Sequence, residues 1–261
     1  MKSKNPAAKK TRLLEDKVAI VTGGGKGIGA HYCTALAAEG ARIIVADIVK
    51  TENTVKTITD RGGVAVGVTC DVTDPYTVET VVRDAMNRFG SIDILVNNAA
   101  LFAELHQKSF LEIDDSEWDR VMQVNVRGPF TLAKAVVPKM KKGAYGRIIN
   151  IASGTVFKGT PLFLHYVSSK GAQIAFTRAL SREVGQFGIT VNCLAPGLTL
   201  SESVTANKQF SENQADNYKT RALKREEFPE DLAGAIVFLS SEKSSFITGQ
   251  TLVIDGGSVM W

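Results

Sequence analysis

The chain reads as one α/β domain, a doubly wound parallel sheet with helices on both faces. Three observations predict it. Short β-branched runs alternate with stretches whose apolar residues recur every three or four positions. The strand candidates are almost continuously apolar, as strands covered on both faces must be. No repeat, low-complexity segment or linker divides the 261 residues.

The elements follow in order. The opening MKSKNPAAKKTR has five basic residues and no acidic one, so with +4 overall the remainder carries −1. Without aromatics or an amphipathic period, residues 1–13 read as a flexible basic tail, and 14–261 as the single domain. Strand candidates are Lys17–Thr22, Ala41–Asp47, Val64–Cys70, Ile92–Asn97, Arg147–Ala152, Thr190–Ala195 and Thr251–Ile254. Helical periodicity marks Pro75–Phe89, Ser116–Met140 and Val167–Phe187, and another helix opens near Pro229. The polar stretch Leu198–Glu227 lacks a strong period. A segment that long inside a compact domain is read as a helical lid over a site.

Composition excludes several classes. About 44% of residues are apolar, enough for a core, yet no run approaches the ~18 needed to span a bilayer and no signal peptide opens the chain. A cytoplasmic protein without membrane or nucleic-acid partners is expected. Cys33, Cys70 and Cys193 lie far apart, and with three histidines and no ligand spacing neither a disulfide nor a metal site is expected.

The first strand runs straight into Gly23-Gly24-Gly25-Lys26-Gly27-Ile28-Gly29. Glycines at a strand-to-helix turn let backbone amides, and the positive end of the helix, approach a pyrophosphate. Asp47 ends the second strand twenty residues after Gly27. A carboxylate there accepts from both ribose hydroxyls and repels a 2′-phosphate. Lys26 would favour that phosphate, but Ile48 and Val49, not a basic residue, follow Asp47. NAD is therefore expected over NADP. Asp71, beside Val72, is placed to accept from the adenine amino group, and Asn98-Ala99 ends the fourth strand beside the cofactor. A capping role for Asp71 and a structural role for the asparagine are the competing readings.

Tyr166 and Lys170 stand four apart at the start of a helix, hence on one face. A nearby ammonium and the positive nicotinamide ring favour a phenolate, so this tyrosine can exchange a proton with an alcohol or carbonyl. Alone, the pair could be an ordinary amphipathic surface pair. Ser153 ends the fifth strand, where open α/β sheets bind ligands, and its hydroxyl can hold the substrate oxygen. Asn125 can position a water connecting Lys170 to solvent, or simply satisfy helix backbone.

Thr22-Gly23-x-x-x-Gly27-Ile28-Gly29, Asn97-Asn98-Ala99, Asn125, Ser153, Tyr166-x-x-x-Lys170 and Pro196-Gly197 occur in one register. In these motifs, from about Leu14 to Asp255–Gly257, the chain resembles the classical short-chain dehydrogenase/reductase family. The resemblance implies a Rossmann-type fold with strand order 3-2-1-4-5-6-7. It implies Ser153 as substrate anchor, Tyr166 as acid/base, Lys170 as ribose contact and tyrosine tuner, and Asn125 as support for a relay water. Pro196, Gly197 and Thr199 would meet the nicotinamide end, and a homotetramer is implied, with Trp261 at an interface. Ala100 replaces the glycine usual after Asn-Asn-Ala, and Ser201 a usual threonine.

Substrate choice should come from Thr155, Phe157, Phe163 and Leu198, with Leu101, Phe102, Leu105, Val204 and Phe210 nearby. The lining is apolar and aromatic without an evident arginine clamp. It suits a small hydrophobic, aromatic or cyclic secondary alcohol or ketone, the substrate of NAD-linked dehydrogenases that the chain resembles. The alternatives are a 3-oxoacyl-thioester (acyl-carrier-protein) reductase, a dehydrogenase of a cyclic hemiacetal, and a non-catalytic dinucleotide-binding regulator.

Overall fold

The structure, a computed structural model, describes residues 12–207 and 219–260. Most of the basic tail, residues 208–218 of the expected lid (Phe210 among them) and Trp261 lie outside the described residues.

Seven strands form one sheet: β1 (Val18–Thr22), β2 (Arg42–Asp47), β3 (Val64–Thr69), β4 (Ile94–Asn97), β5 (Gly146–Ile151), β6 (Ile189–Pro196) and β7 (Thr251–Ile254). All neighbours pair in parallel, in the order β3-β2-β1-β4-β5-β6-β7. Among the described residues the α-helices are α1 (Gly27–Ala38), α2 (Glu52–Asp60), α3 (Pro75–Phe89), α4 (Asp115–Met122), α5 (Gly128–Gly143), one-turn α6 (Thr155–Lys158), α7 (Leu164–Val184), one-turn α8 (Glu202–Thr205) and α9 (Pro229–Ser240).

The alternation of side chains along a strand builds two cores. Ile20, Ile44, Leu95, Ile148 and Val191 face Val78 and Val81 of α3 and Leu132 and Val136 of α5. Val21, Val45, Val96, Ile149 and Leu194 face Tyr32 and Leu36 of α1 and Leu232 and Ile236 of α9. The strands β1, β5 and β6 are buried throughout, which is why their sequences are apolar without alternation. The three cysteines are buried and free. Among the described residues no helix is long and apolar enough to cross a membrane.

The helix expected over 116–140 runs from Asp115 to Gly143, but a π-helical turn at Gln123–Arg127 interrupts it. The cause is legible locally. In an α-helix the carbonyl of Asn125 would accept from the N–H of residue 129, and Pro129 has none. The side chain of Gln173 on α7 supplies the missing donor, with Nε2 2.6 Å from that carbonyl oxygen. The helix expected from Val167 begins at Leu164, which puts Tyr166 in its first turn. Strand order reverses between β1 and β4, and the carboxyl ends of the strands open there into a crevice.

Candidate active site

The crevice is a cavity of about 850 Å³ at those carboxyl ends. Gly23, Lys26, Gly27 and Ile28 line one end, with Asp47, Ile48, Asp71 and Val72. Asn98, Ala99 and Ala100 line the middle, and Ser153, Thr155, Phe163, Tyr166, Lys170, Pro196, Gly197, Leu198 and Thr199 the other end.

The turn into α1 is shaped by close approach. A Cβ on Gly29 would fall 2.0 Å from the carbonyl oxygen of Gly23, so only glycine fits there. No side chain caps the N-terminus of α1, leaving its first amides for a ligand. Thr22 and Asn98 hold the turn against β4. The Thr22 hydroxyl accepts from the amides of Asn98 and Ala99, both at 3.1 Å, and Asn98 Nδ2 donates to the carbonyls of Thr22 and Gly23. The side chain of Asn98 is thus structural.

Asp47 is buried at the mouth, where Oδ2 accepts from Gly25 N at 2.8 Å and Oδ1 from Val49 N at 3.1 Å. A carboxylate has about four acceptor positions, so two are left for ribose hydroxyls. Gly25, expected at the cofactor, is not part of the cavity lining, and its amide turns toward Asp47. Asp71 accepts from the amide and hydroxyl of Thr73 through Oδ1, while Asp74 caps α3. Among the described residues Oδ2 of Asp71 accepts no hydrogen bond. Free α1 amides, a glycine-only turn and a carboxylate with spare acceptors fit a dinucleotide.

A chain of buried polar groups beneath the other end fixes β5 against α7. Asn97 Nδ2 donates to Asn150 Oδ1, and Asn150 Nδ2 to Thr177 Oγ1, each at 2.8 Å. Directly above, Ser153 Oγ accepts from the amide and hydroxyl of Thr155 at 3.2 and 3.0 Å. Burial raises the pKa of the Tyr166 phenol and hydrogen bonding to Ser153 opposes it, leaving the group at about 12. Lys170 Nζ lies 5.7 Å from the centre of the Tyr166 ring and donates to the carbonyl of Ile151 at 2.6 Å. Burial lowers its pKa to about 8. In the protein alone burial therefore outweighs the hydrogen bond to Ser153, and Tyr166 rests as a protonated acid.

Asn125 is fully buried and does not line the cavity. Its Oδ1 accepts from Leu101 N at 2.8 Å, and its Nδ2 donates to Leu101 O and Ser169 Oγ. It fastens the loop after β4 to α7, one turn from Tyr166.

Phe102 packs against Tyr166 with ring centres 4.7 Å apart and planes tilted by 36°, and Phe163 approaches edge-on at 6.4 Å. Leu105, Val121 and Val204 complete this apolar cluster. Phe157, expected among the substrate contacts, does not line the cavity. It is partly buried and packs against Ala152, Ile174, Cys193 and Ala195. His165 is buried beside Tyr166 and pairs through Nε2 with Glu117 at 2.9 Å.

Sequence reasoning missed a polar group behind the end of β6. Glu227 accepts from the Thr199 hydroxyl at 2.7 Å, and Arg221 Nη2 donates to the carbonyl of Leu198 at 2.9 Å. Both side chains are buried. Their stretch is polar and aperiodic, so no local signal marked them.

The comparisons agree with this geometry. A family model described as "Enoyl-(Acyl carrier protein) reductase" matches residues 23–259. The "Short-chain reductase protein NovJ" of Streptomyces niveus is 36% identical over 98% of this chain and 99% of its own. The "3-oxoacyl-[acyl-carrier-protein] reductase FabG" of Escherichia coli (strain K12) is 35% identical, over 95% and 99%. The "Dehydrogenase/reductase SDR family member 4" of Homo sapiens is 35% identical, over 94% and 88%. With a seven-stranded sheet in the order 3-2-1-4-5-6-7 and matches over nearly its whole length, the chain belongs to the classical short-chain dehydrogenase/reductase family, and it is an oxidoreductase.

Proposed function

We propose that the chain moves a hydride between NAD(H) and a small hydrophobic secondary alcohol or ketone, aromatic or cyclic. The observation that carries this reading is a cavity with a buried carboxylate, Asp47, at one end and a phenol packed among Phe102 and Phe163 at the other. When bound, the nicotinamide ring gives or takes the hydride. The amides at the start of α1 would hold the pyrophosphate, Asp47 the adenosine ribose, Asp71 and Val72 the adenine, and Lys170 the ribose nearer the reaction.

At the reacting end, Ser153 orients the substrate oxygen toward Tyr166. In reduction Tyr166 gives its hydroxyl proton to the carbonyl oxygen, and in oxidation its phenolate takes the alcohol proton. Lys170, positive at neutral pH, favours that phenolate once charge develops. Asn125 acts by fixing Leu101 and Ser169. Its carbonyl has a second lone pair beside the one that Gln173 takes, and a relay water would bind there. Phe102 and Phe163 exclude water and face the apolar part of the substrate.

A homotetramer accompanies this proposal. Met122, Val126 and Phe130 of the α4–α5 helix form an apolar surface depression with Ala172 and Phe176 of α7, a face that would serve as an interface.

A second reading, reduction of a 3-oxoacyl thioester, is favoured by the name of the Escherichia coli relative. One spectrophotometric comparison separates them. The first reading expects NADH to appear with 1-phenylethanol or cyclohexanol, and little turnover of an acetoacetyl thioester. Thioester reduction that prefers NADPH, without alcohol oxidation, would replace it with the second.

A further inference from the structure

The polar group behind β6 has no part in the chemistry above, yet it grips the segment nearest the reaction. Gly154 N donates to the carbonyl of Pro196 at 2.8 Å, which sets Gly197–Thr199 beside Ser153, at the far end of the cavity from Asp47. Three hydrogen bonds hold this segment from its outer side: Thr199 Oγ1 to Glu227 Oε1 at 2.7 Å, Arg221 Nη2 to Leu198 O at 2.9 Å, and Leu200 N to Glu227 O at 2.8 Å. The Glu227 carboxylate also fills the space a side chain on Gly197 would need, since a Cβ there would fall 2.6 Å from its Oε2. That oxygen has no hydrogen-bond partner among the described residues, and Arg221 Nη2 stands 3.6 Å away.

We propose that Glu227 is a positioning residue for the nicotinamide end of the site: its carboxylate braces Gly197–Thr199 so that the cavity-facing peptide groups of that segment meet the carboxamide of the cofactor. The proposal rests on the reading that the cavity takes a nicotinamide dinucleotide. It assigns to a buried acid outside the cavity the task of separating tight from loose binding of the reactive half, leaving the adenosine half to Asp47.

The brace depends on charge. An ionised Glu227 accepts a hydrogen bond from the Thr199 hydroxyl on one oxygen and attracts Arg221 with the other. A protonated one loses the ion pair, and its proton competes for the Thr199 oxygen. The charged and titratable groups facing it are Arg221, Asp255 at the end of β7, Arg225, Asp231 of α9, Tyr32 of α1 and Lys158 of α6. Burial, with Asp255 and Asp231 adding to it, raises the pKa of Glu227 to about 7, so both forms occur near neutrality.

The experiment compares two probes on the full chain: NADH, and ADP-ribose, which lacks nicotinamide. Affinities are measured for the native protein, Glu227→Ala and Glu227→Gln at pH 6.5 and 8, with folding checked by thermal denaturation. The expected result is a Kd for NADH raised about tenfold in Glu227→Ala, the scale of one charged hydrogen bond, with ADP-ribose unchanged. The native protein should favour NADH over ADP-ribose more strongly at pH 8 than at 6.5. Glu227→Gln, which still accepts from Thr199, should bind NADH better than Glu227→Ala and show no such pH dependence. Equal losses for both probes, or no loss in either variant, overturn the proposal. A native protein that binds neither probe overturns the dinucleotide reading itself, and this inference with it.

Discussion

Replacing Asp47 by asparagine tests the cofactor assignment most directly. Under the proposed binding mode the carboxylate would face the 2′-phosphate of NADP, and two backbone amides already anchor it. Two unit charges 4 Å apart repel by about 1 kcal/mol in water and by about 4 kcal/mol at an effective dielectric of 20. A phosphate carrying nearly two charges about doubles either figure. Ile48 and Val49 are exposed at this rim, so the watery end of the range applies, about 2 kcal/mol, or about 30-fold in affinity. Asparagine removes the charge and can still accept from Gly25 N. The variant should therefore improve the kcat/KM ratio of NADP to NAD by about 30-fold or more. KM for NAD should rise by about tenfold as charged hydrogen bonds to the ribose become neutral ones. The assay is initial rate against each cofactor at saturating alcohol. A native preference for NADP, or a ratio unmoved by the substitution, would refute the electrostatic reasoning.

Three further outcomes follow from the same coordinates. Tyr166→Phe keeps the ring against Phe102 but deletes the proton, so kcat should fall by about 10²–10⁴-fold with NADH affinity unchanged. Stopped-flow turnover close to native would remove Tyr166 from the mechanism. Glu227, buried with its pKa raised from 4.5 to about 7, prefers its proton in the folded state. The cost of ionising it is absent below pH 4.5, grows up to pH 7 and is complete above, at about 3 kcal/mol. Glu227→Gln should accordingly gain about 2 kcal/mol more stability, relative to the native protein, at pH 8 than at pH 5. Denaturant unfolding checks this, and an equal difference at both pH values would contradict it. Phe130, 52% exposed on the α5 face, should be covered in the assembly. Phe130→Asp should then lower the mass seen by light scattering while the melting of the protomer stays cooperative. An unchanged mass would place the interface elsewhere.

Much of the molecule was legible in its residues because the signals are local. The glycine turn after KVAIVT, Asp47 at the end of β2, and Tyr166 four residues before Lys170 each follow from spacing within one element. Most of the cofactor and substrate residues so identified do line one cavity. Phe157 lies outside that lining, since an aromatic residue on a one-turn helix can face either side and this one packs, partly buried, against residues of β6 and α7. Gly25 departed in the same way, its amide taken by a carboxylate from the next strand. The π-helical turn at Asn125 was half legible: Pro129 marks the missing donor, but its replacement, Gln173, comes from 48 positions further along.

By itself the sequence determined which segments become buried strands and helices and which chemical groups stand at their carboxyl ends, because periodicity and chain spacing act over a few residues. Tertiary structure decided what those groups do at rest. It raised the pKa of Tyr166 above that of a free phenol by enclosing it, spent Asn125 on the loop at Leu101, and brought Glu227 and Arg221 against Leu198 and Thr199. Burial and convergence between residues 23 or more positions apart are properties of the packed molecule, and no local pattern encodes them.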